Sequence, residues 1–149
     1  MPADSEPARL RTWRPLGVRL SGIFFSALLL VVSTAAWVYL PADIKAVFTP
    51  TQRATTIGLY LAALGVWWAM MRSRVTATEG GLVVVNGFKR RELEFAQVVS
   101  VRLPRGAPWA QLNLSDGTTV PAMGIQGSDG KRAQRAVSEL RALIEERSR

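Results

Sequence analysis

Two long stretches without a single charge constrain this chain more than anything else in it. Residues 20–42 carry no Asp, Glu, Lys or Arg, and residues 20–40 are almost continuously apolar. Residues 54–71 form a second uncharged run. As helices, residues 20–40 would extend about 31 Å and residues 54–71 about 27 Å, close to the thickness of a bilayer's hydrocarbon core. Arg19 and Asp43 bound the first run, and Arg53 and Arg72 bound the second. The short connection contains Pro41 and Pro50, residues expected to end helices. The pattern predicts a transmembrane helical hairpin over residues 20–71, with spans at 20–40 and 54–71 and a loop between them.

The distribution of cations sets the expected orientation. Arg9, Arg11, Arg14 and Arg19 precede the first span, only Lys45 and Arg53 lie in the loop, and 13 of the 19 Lys and Arg residues follow the second span. Cytoplasmic flanks carry the excess of Lys and Arg, so both termini are expected in the cytoplasm of a multi-pass cell-membrane protein. Trp37 and Tyr39 near one end of the first span, and Trp67 and Trp68 near one end of the second, suit interfacial aromatic belts. Thr34-Ala35-Ala36 resembles a signal-peptide cleavage site, but an apolar run of this length exceeds an ordinary signal h-region. The first span is therefore expected to remain uncleaved.

Small side chains recur along each span. In the second they are Gly58, Ala62, Gly65 and Ala69; in the first, Gly22, Ser26, Ser33 and Ala36, with Leu29 filling the gap. Such stripes let backbones approach closely in lipid, where apolar character alone gives no drive to associate. They predict helix packing within the hairpin, or oligomerisation. No ionisable group lies inside either span, so a proton relay or ion pathway has no candidate there.

Past Arg72-Ser73-Arg74 the apolar runs become short and are separated by turns. Strands are expected at 75–78, 82–85, 89–95, 98–103, 109–114 and 118–123, with Glu79-Gly80-Gly81, Asn86-Gly87, Pro104 and Ser115-Asp116-Gly117 between them. The Asn86-Gly87 turn leaves its register open. A two-residue loop there would set Val84 opposite Lys89 and Leu82 opposite Arg91, and a bulge or longer loop would separate them. After Gly127-Ser128-Asp129-Gly130, residues 131–147 place Ala133, Ala136, Val137, Leu140, Leu143 and Ile144 on one helical stripe, with Ser128 or Asp129 as N-cap. The expected class is α+β: a basic N-terminal tail at 1–19, the hairpin, and a small antiparallel β-barrel or sandwich over 72–149 capped by a C-terminal helix.

The chemistry is bounded as firmly as the fold. The 149 residues include neither Cys nor His, which removes disulfides, thiolate or imidazole metal sites, Cys nucleophiles and Ser-His triads. The Gly-rich turns match no phosphate-binding loop. Glu92 and Glu94 share a strand face but have no second acid or His to form a catalytic or metal pair. No catalytic residue, cofactor or metal is expected, and the chain is read as a non-enzyme. The net charge of +8 raises nucleic acid as a partner. Glu139, Glu145 and Glu146 interrupt any basic stripe on the last helix, and positive-inside bias explains the excess, so no nucleic acid is expected.

Thr78-Glu79-Gly80-Gly81-Leu82, Asn86-Gly87, Phe95 ahead of Val98-Val99-Ser100-Val101, and Leu112-Asn113-Leu114-Ser115-Asp116-Gly117-Thr118-Thr119-Val120-Pro121 together resemble the bacterial pleckstrin-homology-like domain family. The nearest branch in this resemblance is the low-molecular-weight protein antigen 6 type, in which a membrane hairpin carries a compact cytoplasmic domain. The resemblance spans about residues 75–146. It implies a bent, partly open β-barrel with a helical cap and a binding function of unspecified target, since function has to be argued from a site. The basic residues that eukaryotic phosphoinositide binders space across their first hairpin are not matched, because Lys89-Arg90-Arg91 follow a later turn.

Those three residues, with Arg72 and Arg74, are candidates for contact with anionic lipid head groups; they would equally protect a sheet edge. Arg102 and Arg105, beside Pro104 and Trp109, form a second basic group suited to an acidic partner or a head group. Two functions follow. The chain is a membrane-held binding module for a protein partner or anionic lipid at the inner leaflet, or it is a structural subunit of a larger membrane assembly.

Overall fold

The structure, a computed structural model, describes residues 9–148; Met1–Ala8 of the expected tail and Arg149 lie outside them. It opens not with a tail but with a strand, β1 (Arg9–Trp13). Helix α1 (Leu16–Tyr39), the short α2 (Ala42–Val47) and α3 (Pro50–Met71) follow. Six further strands come next: β2 (Arg74–Thr78), β3 (Gly81–Asn86), β4 (Lys89–Leu93), β5 (Val98–Arg102), β6 (Trp109–Leu114) and β7 (Thr119–Gln126). The chain ends in α4 (Lys131–Arg147), with bounds equal to those its apolar stripe predicts.

The strands form two antiparallel sheets, ordered β1-β2-β3-β4 and β5-β6-β7, not a closed barrel. β1 pairs with β2, Trp13 opposite Val75 and Thr12 opposite Thr76. The membrane-type helices are therefore inserted between the first two strands of the domain rather than attached in front of it. The assignment of residues 9–13 to a tail is corrected on this point. Their alternation is masked by a bulge between Arg9 and Arg11 and by the surrounding cations, and only Trp13 carries a clear core signal.

Helices α1 and α3 are long and apolar enough to cross a membrane. Their large apolar side chains point outward, as Leu30 (69% exposed) and Leu59 (68%) illustrate. α1 begins at Leu16 rather than 20 and α3 at Pro50 rather than 54. Pro50 opens α3 instead of ending a helix, because the first helical position needs no N–H donor. Thr49 and Gln52 complete a capping box: the Gln52 N–H donates to Thr49 Oγ1 at 3.2 Å, and the Thr49 N–H donates to Gln52 Oε1 at 3.0 Å.

In the domain, Val75, Leu82, Val84, Val101, Leu112 and Val120 are almost wholly buried, and α4 covers them with Ala133, Ala136, Val137, Leu140 and Ile144. β7 packs against β2 and β3, with Gly124 set so close to the Arg74 backbone that a Cβ there would lie 2.6 Å from the Arg74 Cα. Asn86 completes this junction: its amide donates to the Pro121 carbonyl and its carbonyl accepts from the Met123 N–H at 3.0 Å.

That use of Asn86 settles the register left open above. Asn86 pairs with Lys89, Val84 with Arg91 and Leu82 with Leu93, so the two loop residues are Gly87 and Phe88. Gly87 has φ 60°, the left-handed conformation that a tight hairpin requires at its first central position.

β1 is thus part of the core. Trp13 is 8% exposed, its indole Nε1 donates to Glu139 Oε2 at 3.1 Å, and Arg11 pairs with Glu139 at 2.9 Å. Trp13→Ala is expected to lower the unfolding free energy of the detergent-solubilised chain by about 3 kcal/mol in a guanidinium titration. Leu10→Ala, at a side chain 40% exposed on the same strand, should change it by only about 0.5 kcal/mol.

Candidate functional site

The strongest candidate is the rim where the β domain meets α1 and α3, because both helix ends are fastened to it. α1 has no acidic residue in its first turn and no cap from its own N-cap residue, Pro15. Asp129, in the 3₁₀ turn before α4, supplies the missing acceptors. Its Oδ2 accepts from the Leu16 N–H at 3.0 Å, and its Oδ1 accepts from the Gly17 N–H at 2.8 Å. A carboxylate at this position satisfies two orphan donors and complements the positive end of the helix dipole. The sequence offers Ser128 or Asp129 as the cap of α4; neither side chain caps that helix, and Asp129 caps α1 instead, over a sequence separation of more than a hundred residues.

The other end is held by Ser73. Its hydroxyl donates to the Ala69 carbonyl of α3 at 3.2 Å and accepts from the Gly87 N–H at 2.9 Å. The β3–β4 turn is thereby drawn against the end of α3. Phe88, 71% exposed at the tip of that turn, lies 5.8 Å from the Trp68 ring, and the Arg72 guanidinium sits 4.7 Å from the same ring. An exposed Phe beside a Trp–Arg pair at the end of an apolar helix is the composition of a membrane interface. In the sequence Phe88 is marked only by its place in a short turn between apolar and basic residues.

The predicted basic residues divide accordingly. Arg72 joins the rim directly, and Lys89 follows Phe88 on the same turn. Arg90 is engaged by Glu92 at 2.7 Å, while Arg91 is exposed and faces Val84 across the ladder. Arg74 lies in β2, half-buried, with its backbone against Gly124. Arg102 and Arg105 belong to the other sheet, at the end of β5 and in the loop after it, and no hydrogen bond or ion pair joins them to Lys89, Arg90 or Arg91 among the described residues. Glu94 is occupied with Gln97 at the 3₁₀ turn Phe95–Gln97 and does not pair with Glu92.

The small-residue stripe of α3 is not the seam of the hairpin. A side chain added at Gly58 or Gly65 would meet nothing within 4 Å, and Ala62 is exposed. α1 and α3 touch instead where Trp67 covers Gly22 and where the Ser33 and Tyr60 hydroxyls share a 2.6 Å hydrogen bond. Two large aromatic residues of α3 fill the seam against the Gly22 and Ser33 positions of the α1 stripe, and Gly58, Ala62 and Gly65 lie outside it. Ala69 alone of the four meets the domain, at the Gly87 turn.

Comparison with known proteins agrees with this architecture. A family model described as a bacterial PH domain matches residues 72–143, the stretch from the end of α3 into α4. Uncharacterised proteins of Mycobacterium bovis and Mycobacterium tuberculosis are each 33% identical over 117 residues, covering 78% of this chain and 70% of theirs. No solved structure matches the chain. The family match begins after β1, although β1 completes the first sheet.

Removing the Asp129 carboxylate tests the fastening. Asp129→Ala is expected to destabilise the chain by about 1 kcal/mol, read as a fall in melting temperature, with Asp129→Ser recovering part of the loss. An unchanged melting temperature in Asp129→Ala would mean that the contact contributes nothing to stability.

Proposed function

The chain belongs to the bacterial PH domain family, and from that membership we propose an integral cell-membrane protein that presents its domain at the inner leaflet as a non-enzymatic binding module. PH-like domains are in general binding modules rather than catalysts, and the targets in this reading are a protein partner or anionic lipid head groups. The observation that carries the proposal is the place of the helices. α1 and α3 leave and re-enter one sheet between neighbouring strands β1 and β2. If both helices cross the bilayer, the pairing of β1 with β2 requires both flanks on the same face. The excess of Lys and Arg outside the helices favours the cytoplasmic face. Arg72, Phe88 and Lys89 then stand at the lipid surface, where each cation contributes about 1 kcal/mol of attraction to anionic head groups.

The absence of native cysteine makes the topology directly testable. In intact cells, a membrane-impermeant maleimide is expected to label Thr51→Cys, at the start of α3, and to leave Ser115→Cys, in the β6–β7 turn, unlabelled until permeabilisation. The opposite pattern would reverse the orientation. Labelling of both from outside would refute a hairpin whose tip lies across the membrane from the domain.

A second reading, a structural subunit of a larger membrane assembly, is favoured by one feature: the outward stripe of Gly58, Ala62 and Gly65. Close helix contact at such a stripe would be blocked by Gly58→Leu and Gly65→Leu. In the assembly reading, native gels in mild detergent show a large species for the wild type and a monomer for the double variant. A wild-type monomer counts against it.

A further inference from the structure

Behind the rim, β1, β7 and α4 enclose a cleft of about 450 Å³ with an unusual electrostatic composition. Five cations line it, Arg11, Arg14, Lys131, Arg132 and Arg135, against two acids, Asp129 and Glu139. Both acids are already used: Asp129 by the Leu16 and Gly17 N–H groups, Glu139 by Arg11 and the Trp13 indole. Arg14, Lys131, Arg132 and Arg135 have no ion-pair partner among the described residues.

Their arrangement is unfavourable without an anion. Lys131 and Arg135 are four apart on α4, and Arg132 and Arg135 three apart, spacings at which like charges are surface neighbours and destabilise a helix. They also occupy its first turns, where the helix dipole is itself positive; the first turn holds no acid, and Gly130 supplies no side-chain cap. Of the acids of α4, Glu139 lies mid-helix and is engaged by Arg11 and the Trp13 indole, while Glu145 and Glu146 lie in the C-terminal turns beside Arg147.

The cleft also sits at a telling depth. Asp129 holds the first residues of α1, four positions before the uncharged run begins at Leu20, or about 6 Å along a helix axis. That is about the thickness of the head-group layer on one side of a bilayer.

We propose that this cleft binds a phosphate-bearing anion through Arg14, Lys131, Arg132 and Arg135, with the phosphate of an anionic lipid or of a soluble phosphate ester as its source. The proposal adds a site to the membrane-module reading and rests on that reading only for the lipid source. It differs from the Lys89–Arg91 hairpin, whose charges lie on the strand beyond Phe88 and line no part of the cleft.

The test uses the full chain in uncharged detergent micelles, titrated calorimetrically with phosphatidylglycerol, phosphatidylcholine and glycerol 3-phosphate. The wild type should bind phosphatidylglycerol and not phosphatidylcholine. Arg132→Gln with Arg135→Gln should weaken binding about 25-fold and Arg14→Gln about fivefold, at one charge contact per residue. Arg147→Gln, at the opposite end of α4 and outside the cleft, should leave it within about twofold. These side chains are exposed, and circular dichroism verifies that each variant keeps the fold. Glycerol 3-phosphate binding as tightly as phosphatidylglycerol, with the same variant pattern, supports the site with a soluble ligand. Tighter phosphatidylglycerol binding supports it with lipid. No binding of either phosphate, an Arg132→Gln/Arg135→Gln variant that binds like wild type, or binding of a polyglutamate peptide alone would overturn the proposal. The maleimide experiment can fail while glycerol 3-phosphate still binds, so the site and the membrane reading fall separately.

Discussion

The pairing of β1 with β2 governs nearly everything else in this molecule. Two strands in a ladder lie about 5 Å apart, so the chain must leave the sheet at Trp13 and return to it at Arg74 almost at the point of departure. Within that restriction the 60 residues from Arg14 to Ser73 can contain two antiparallel helices but not one or three crossing segments. The ends of α1 and α3 are then neighbours by construction, and Asp129 and Ser73 secure each end with hydrogen bonds to the domain. The domain is docked on the two helices at two points instead of being tethered to them by a flexible linker. Its orientation relative to the helices is consequently fixed, with the Phe88 turn near one helix end and the cation-lined cleft near the other.

Inside the hairpin the contacts are sparse, and their character fits an apolar surrounding. Trp67 over Gly22 and the Ser33–Tyr60 hydrogen bond join the helices, while Trp37 meets Phe48 edge-on at the far end with the Arg53 guanidinium 5.3 Å from its ring. Lys45 donates to the Val38 carbonyl at 3.1 Å, and Arg53 to the Lys45 carbonyl at 2.8 Å. The first bond occupies a carbonyl in the last turn of α1, and the second shares the Lys45 carbonyl with the Phe48 N–H at the end of α2. Polar contacts therefore concentrate at the two ends, apart from the Ser33–Tyr60 hydrogen bond between them.

The elements that were legible in the sequence are those whose periodicity is local and strong. α4 could be bounded to the residue because its apolar stripe repeats over several turns, and the strands after residue 74 because glycine-rich turns separate them. β1 could not, since five residues with two arginines and a bulge offer no alternation, and its partner lies beyond the whole hairpin. The Asn86-Gly87 turn was recognisable, but its register depended on Asn86 bonding to β7, a tertiary contact. The same distinction holds for the sites. Lys89, Arg90 and Arg91 are adjacent in sequence and attract notice at once. The cleft cations come from opposite ends of the chain, and the acids that appear to balance them are engaged elsewhere only in the folded state.

The insertion also sets an order of events. During synthesis β1 appears first, and its partner strand follows only after the entire hairpin. Closing a loop of that length by diffusion carries an entropic cost and exposes an unpaired edge meanwhile. If the two helices associate in a bilayer, they bring the severed halves of the sheet together and remove most of that search. The bilayer would then act as a template that makes a long-range strand pairing effectively local. A fragment beginning at Arg72, however well it matches the family, would lack its first strand and leave one side of β2 open.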